Sequence, residues 1–164
     1  MNTETESYKL DEKDTRILRA LQNDARLTNK ELAAKIHLST TPTYERVKRL
    51  EHLGFIKQYA TILNADKLNK GFAVFCSIKL RQINSDSARE FTNMIKEIPE
   101  VTECYNTSGD YDYMIKIYLR DMEHYHDFVY NTLGVIDSIG SLHSVFVIAE
   151  EKTDTGIPVA LPAK

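Results

Sequence analysis

The chain has 164 residues and a mass of 18.8 kDa, with 42% hydrophobic and 27% charged residues; these globular proportions exclude a mainly disordered chain. Six glycines and four prolines exclude collagen-like or Pro-rich architecture, and apolar runs stop after a few residues, as in Gly71-Phe72-Ala73-Val74-Phe75, far short of the roughly 20 that a membrane helix needs. The net charge of −3 hides an asymmetry: residues 16–63 carry nine Lys/Arg against four acids, and residues 64–164 carry ten against fifteen. A basic first third on an acidic remainder points to a polyanion-binding module joined to a module with another task.

Met1 to Asp11 is polar and acidic, which argues against a secretory signal. Asp11 is a good N-cap, and Ile17, Leu18 and Leu21 form an apolar stripe at helical spacing. Asn23-Asp24-Ala25-Arg26 breaks that pattern. Thr28 and Glu31 make a capping box for a second helix, with Leu32, Ala33 and Ile36 on one face. His37-Leu38 is the turn. Ser39-Thr40-Thr41-Pro42 opens a third helix with hydroxyl caps and a proline in the first turn. Val47, Leu50 and Leu53 face inward, and Gly54 ends the helix. Phe55 to Leu63 alternates loosely and predicts a strand or small hairpin; residues 64–70 read as a connector.

The remainder predicts strand, helix, strand, strand, helix, strand. Ala73 to Leu80 is the first strand. The helix from Asp86 to Ile98 carries Ala88, Phe91, Ile95 and Ile98 inward and is stopped by Pro99. Val101 to Ser108 and a strand with Tyr113, Ile115, Ile117 and Leu119 alternating flank a Gly109-Asp110 turn. Asp121 caps a helix carrying Met122, Tyr125, Val129 and Leu133, and Leu142 to Ile148 closes the set. This order is the ferredoxin-like βαββαβ plan, an antiparallel sheet with both helices on one face. Phe75, Tyr105 and Phe146 are available for the other face, and self-association is its cheapest cover. The expected class is α+β, divided as a flexible 1–9, a helix-turn-helix domain 10–55, a linker 56–71, a ferredoxin-like domain 72–151 and a tail 152–164 that is an arm or disordered.

The sharpest chemical signal is the helix-turn-helix over residues 28–53. Arg46, Lys48 and Arg49 supply charge for phosphates, and Thr40, Thr41, Thr43 and Tyr44 supply polar or methyl contacts near the start of the reading helix. The plain alternative is a three-helix bundle with a solvated basic face. The second signal is Ser108-Gly109-Asp110-Tyr111-Asp112-Tyr113. Two acids two apart share one face of a strand, suited to acid–base work or to holding an ammonium group, or else they are solvated acids at an ordinary turn. His124 and His126 look metal-like, but on a helix they point roughly 200° apart, so no metal site is expected. No nucleophile elbow, P-loop or dinucleotide fingerprint occurs. Cys76 and Cys104 form no CxxC pair; they fit a reducing compartment and inert packing in strands.

These residues, taken together, resemble the Lrp/AsnC family of transcriptional regulators, and most the leucine-responsive type. The resemblance rests on Leu10-Asp11, Asp14 and Ile17-Leu18, on Leu38-Ser39-Thr40-Thr41-Pro42 followed by Glu45-Arg46-Val47-Lys48-Arg49-Leu50-Glu51, on Gly54-Phe55-Ile56, and on Ser108 to Tyr113. It implies a cytoplasmic regulator, not an enzyme and without a cofactor, that binds pseudo-palindromic double-stranded DNA. It also implies dimers assembled further, as octamers, with an amino-acid effector between dimers and no membrane association. It places Ser39, with Thr40, Thr41, Thr43, Arg46 and Arg49, on the reading helix. It places Ser108, Gly109, Asp110, Tyr111 and Asp112 at the effector site, with Met122, Ser144 and Val147 lining or flanking it. Leu142 and His143 depart from the hydroxyl-rich strand common there. Two other readings remain at this point: a nucleoid-type DNA binder that senses nothing, and an amino-acid-acting enzyme using Asp110 and Asp112.

Overall fold

Local signals start each helix of the first unit. In the computed structural model, which describes residues 8–153 and 156–160, α1 spans Glu12–Asn23, α2 Asn29–Ile36 and α3 Thr40–His52. The expectation for residues 1–7 and for the tail beyond residue 160 lies outside the described residues. Asp11 caps α1 by accepting from the Asp14 amide at 2.7 Å, and Asp14 reaches back to the Asp11 amide. Thr28 and Glu31 form the expected reciprocal cap of α2. Ser39 occupies the cap position of α3, but its hydroxyl makes no capping bond there; its carbonyl instead accepts from the Thr43 amide and hydroxyl. His37 takes a left-handed conformation at the turn between α2 and α3. Gly54, at φ +76°, ends α3, as only glycine does cheaply.

Ile17, Leu32, Ile36, Val47 and Leu50 form the core of this unit, with Leu10, Leu18, Leu21, Phe55 and Ile56 packed around it. Each large aliphatic chain buried there contributes about 1.5–3 kcal/mol. The strand expected over 55–63 does not form: residues 57–63 carry neither helix nor strand and are exposed. Alternating side chains do not make a strand without an adjacent edge to bond. Phe55 and Ile56 close the helical core, and the Tyr59 hydroxyl donates to Glu51 at 2.9 Å.

The second unit is a four-stranded antiparallel sheet. β1 (Phe72–Leu80), α4 (Ser85–Lys96), β2 (Val101–Asn106), β3 (Tyr113–Leu119), α5 (Met122–Asp127) and β4 (Ile139–Phe146) follow in order, and the strands lie β2-β3-β1-β4. This is the expected ferredoxin-like arrangement. Val74, Cys76 and Ile78 on β1 and Ile115, Ile117 and Leu119 on β3 bury one face against Phe91 and Ile95 of α4.

Three details differ from the sequence reading. The second helix does not run evenly to Leu133: α5 passes into a π-helix over Phe128–Leu133. The Gly134 amide donates to the Val129 carbonyl five residues back, and the wider turn lets Phe128 and Leu133 both reach the core. Phe128 therefore takes the central position expected for Val129. The last strand is Ile139–Phe146 rather than 142–148, because pairing with β1 runs from Leu80 opposite Ile139 to Val74 opposite Phe146. That register puts Val145, opposite Phe75, on the open face. Phe146 turns to the other side, packing on Phe72 at 5.6 Å and on Tyr125 at 5.0 Å.

Contacts divide the chain into two compact units, Met1–Ile62 with Thr153–Lys164, and Leu63–Lys152. The tail residues 156–160, expected to be an arm or disordered, belong with the helical unit.

Candidate functional site

The outward side of α3 carries Thr40, Thr41, Tyr44 and Lys48, all exposed. Positions 41, 44, 45 and 48 recur at helical spacing and share one face. Ser39 is exposed just before them. Lys48 donates to Glu51 at 2.8 Å and lies 5.9 Å from the Tyr44 ring. The ion pair raises the Lys48 pKa, so the amine stays charged.

Two expected contact residues point elsewhere. Thr43 is 0% exposed and its hydroxyl donates to the Ser39 carbonyl at 2.9 Å. It lies on the side of α3 that packs against the bundle, with Val47 and Leu50, so it is not available to a groove. Arg46 Nη1 donates to Asp11 and to Asp14, both at 2.6 Å. Arg49 is more open and donates to Asp14 at 3.3 Å.

Asp14 is the hub that residue spacing did not reveal. Its carboxylate is fully buried and accepts from the Tyr8 hydroxyl at 2.6 Å, from Arg46 and from Arg49. The Arg49 guanidinium also lies 4.9 Å over the Tyr8 ring, whose edge meets Phe55 at 6.0 Å. Tyr8, expected in a flexible terminus, is part of the packed unit. Burial raises the Tyr8 pKa, and the bond to Asp14 raises it further. Burial pushes the Asp11 carboxyl up, but the Asp14 amide and the Arg46 guanidinium outweigh it and lower its pKa. The one available signal was the aspartate three residues after the cap, which a capping box needs; nothing local showed that it would be buried.

The expected effector residues lie in the turn read at Gly109-Asp110, which is longer than expected because β2 already ends at Asn106. Ser108, Gly109 and Asp110 are exposed, with Gly109 at φ +114°, and β3 begins only at Tyr113. Asp110 and Asp112 therefore do not share a strand face. Asp112 ties the turn to β1: its amide donates to the Ile78 carbonyl at 2.9 Å, and its carboxylate accepts from the Leu80 amide at 2.8 Å. Tyr111 stacks on His143 at 6.1 Å. Ser144 lies on the helix side of the sheet, where its hydroxyl accepts from Tyr125 at 2.8 Å and reaches Cys76 Sγ at 3.4 Å. Burial raises the Cys76 thiol pKa against the opposing Ser144 bond. Cys104, expected to be packed away, is exposed on the edge strand β2. Met122 is exposed at the start of α5, and the half-buried Val147 donates its amide to Ala73. A groove of about 480 Å³ between α4 and the π-helix, lined by Met94, Ile98, Val135 and Ile136 among others, includes none of these residues.

His124 accepts from the Arg120 amide through Nδ1, whereas His126 packs on Tyr130. Among the described residues, no three His, Cys, Asp or Glu side chains converge as a metal site, and no helix is long and apolar enough to cross a membrane.

Residues 10–51 match the AsnC-type helix-turn-helix domain, and residues 73–157 match the Lrp/AsnC ligand binding domain. The Bkd operon transcriptional regulator of Pseudomonas aeruginosa is 37% identical over 139 residues, covering 85% of this chain and 91% of that protein. The leucine-responsive regulatory protein of Escherichia coli is 36% identical over 143 residues, covering 87% of each. Among solved structures, a transcriptional regulator of Neisseria meningitidis in complex with L-Met superposes with a TM-score of 0.88 at 33% identity, covering 92% of this chain and 97% of that one. AsnC of E. coli superposes at 0.83 with 27% identity, covering 92% and 100%. A reading helix on a capped three-helix unit, followed by a ferredoxin-like sheet, is thus shared over nearly the whole length, and the chain belongs to the Lrp/AsnC family of DNA-binding transcriptional regulators.

Proposed function

We propose that this regulator works in the cytoplasm as a homo-oligomer without catalytic chemistry, and that its sheet unit senses an amino acid. The observation that carries the DNA half is the outward face of α3. Thr40, Thr41, Tyr44 and Lys48 are presented together, with Ser39 beside them and Arg49 at the rim, while Thr43 and Arg46 hold the helix from behind. Such a face suits a major groove, with small polar groups for base edges and a cation for phosphate. DNA affinity is expected to fall with salt at a log–log slope of about −0.9 per phosphate neutralised. Lys48→Ala should weaken binding to all sequences alike and reduce that slope by about one. A salt-independent affinity in a filter-binding or fluorescence titration would reject the assignment.

The sensing half is supported by the L-Met bound to the Neisseria relative and by the exposed glycine turn, where a ligand can approach the backbone closely. Asp112 holds its turn with one carboxylate oxygen. An effector ammonium on the other oxygen would link ligand occupancy to the end of β1. Walls for the ligand would come from a second dimer, and binding that favours one assembly shifts the population offered to DNA. Asp112→Asn keeps an acceptor for the Leu80 amide, so the fold and DNA binding should persist while the ligand response is lost. Asp112→Ala should in addition destabilise the sheet unit by about 1–3 kcal/mol, because the Leu80 amide is left without that acceptor. Thermal shift against the common amino acids, followed by calorimetry on wild type and both variants, tests this. Equal affinity in all three proteins would remove Asp112 from the site. A wild type that binds no amino acid at millimolar concentration would leave a DNA-binding scaffold that senses nothing.

A further inference from the structure

The chain passes from the helical unit to the sheet unit at residues 62–63 and returns at 152–153. What it returns to is α1. The Arg19 Nε donates to the Val159 carbonyl at 2.7 Å. The Gln22 side-chain amide pairs with Ile157 in both directions, Nε2 donating to its carbonyl at 2.9 Å and Oε1 accepting from its amide at 3.3 Å. Arg19 and Gln22 are three apart, so they project from one face of α1. Residues 157 and 159 are two apart, so an extended segment turns both carbonyls to the same side. Pro158 between them has no N–H to leave unpaired.

Gly156 lies close to the same side chain: a Cβ there would stand 2.5 Å from the Gln22 amide nitrogen, so a larger residue would push the Gln22 amide off its bonds to Ile157. Val159 is partly buried in the groove it forms with Arg19, Gln22 and Asn23. Backbone groups of the tail are thus read by two side chains of the helix, at a spacing that fits one register.

We propose that residues 156–160 are an intramolecular strap, docked in extended form on the Arg19–Gln22 face of α1, that gives the DNA-reading unit a second tether and restricts its swing about the exposed residues 57–63. Two neutral hydrogen bonds and one from the Arg19 guanidinium suffice for this because the strap is covalently attached, and a short linker supplies a high effective concentration. A head with two tethers loses less orientational freedom on DNA than a head with one. The inference goes beyond the DNA-binding and sensing roles proposed above and does not depend on the effector.

The test uses the full chain with Cys104→Ser, which leaves only the buried Cys76 thiol. Asn23→Cys and Ala160→Cys are added and treated with a short bismaleimide; Arg19 and Gln22 are left intact. A bridge within one chain, running at monomer mass on a denaturing gel, is expected. A dimer-mass product would show that the strap comes from another copy and overturn the intramolecular proposal, and the absence of any bridge would overturn docking itself. In parallel, deletion of residues 156–164 and the single change Gln22→Ala should each speed tryptic cleavage at Lys57 by about tenfold. The free peptide Gly-Ile-Pro-Val-Ala at millimolar concentration should slow cleavage of the deletion variant and leave Gln22→Ala unaffected. Unchanged cleavage in both variants, or an effect of the deletion that Gln22→Ala does not reproduce, would overturn the strap.

Discussion

Replacing Arg46 with alanine is expected to cost the reading unit about 3 kcal/mol of folding free energy, more than it costs any DNA contact. The reason is the partner it leaves behind. Asp14 has no exposed surface, and Arg46 supplies its shortest charged contact at 2.6 Å. Without Arg46 the buried carboxylate keeps the Tyr8 hydroxyl, the Asp11 amide at 3.3 Å and, as its charged partner, Arg49 at 3.3 Å, which leaves its charge poorly compensated. Asp14→Asn is expected to be milder, since the guanidiniums it releases are partly open to water. The combination Asp14→Asn/Arg46→Ala should recover part of the stability lost in Arg46→Ala. A urea melt of the four proteins checks this, and strictly additive losses would show that the pair is not coupled. Acid supplies a second readout. The pKa of Asp11 is lowered in the folded protein, so its contribution is present above the ordinary aspartate range and is lost as pH falls through the lowered value.

Val145→Lys is expected to dissociate the homo-oligomer proposed above while leaving the protomer folded. Val145 is 52% exposed on the face of the sheet away from the helices, opposite Phe75. The same face carries Met114 and Tyr105, which oppose each other across β2 and β3, and Lys116, whose amine lies over the Phe75 and Tyr118 rings. An apolar and aromatic sheet face favours burial, and in the homo-oligomer proposed above a second copy would cover it by two-fold symmetry. A lysine at position 145 has open space in the single chain, but a face-to-face dimer would bury its amine among apolar side chains, across Phe75 from Lys116, whose own acid is Glu150 at 3.8 Å. The dimer constant should weaken by about 10²–10³-fold, the scale of a few kcal/mol for such a charge. Light scattering at micromolar concentration decides it: an unchanged mass would move the interface to another surface. DNA affinity should fall in parallel, because two half-sites are then no longer read by one particle.

Much of the fold was legible because its causes lie within a few residues. The caps at Asp11 and Thr28, the glycine that ends α3 and the alternation of Tyr113 to Leu119 are local, and all appear as read. The order of elements then leaves few topologies, and the sheet takes the expected one. The two-module charge asymmetry is a property of composition and needs no structure to be seen.

Tertiary structure decided what depends on distant partners. Arg46 looks like a DNA-facing cation in sequence; its 2.6 Å contacts with residues 35 and 32 positions earlier make it an internal brace. Phe146 is read from sequence for the open face but lies on the helix side, and Val145 takes its place; only the register with β1 decides this, since a one-residue shift exchanges the faces. The alternation over 55–63 suggests a strand, yet a strand exists only where another edge accepts its hydrogen bonds. The tail has no period to read, and its place on α1 follows from Arg19 and Gln22 more than 130 residues away. Local sequence determines which elements form because their caps and periodicities act over one or two turns. Which side chains are buried, paired or left for DNA is set when those elements pack, because the desolvation of a group such as Asp14 is a property of everything around it.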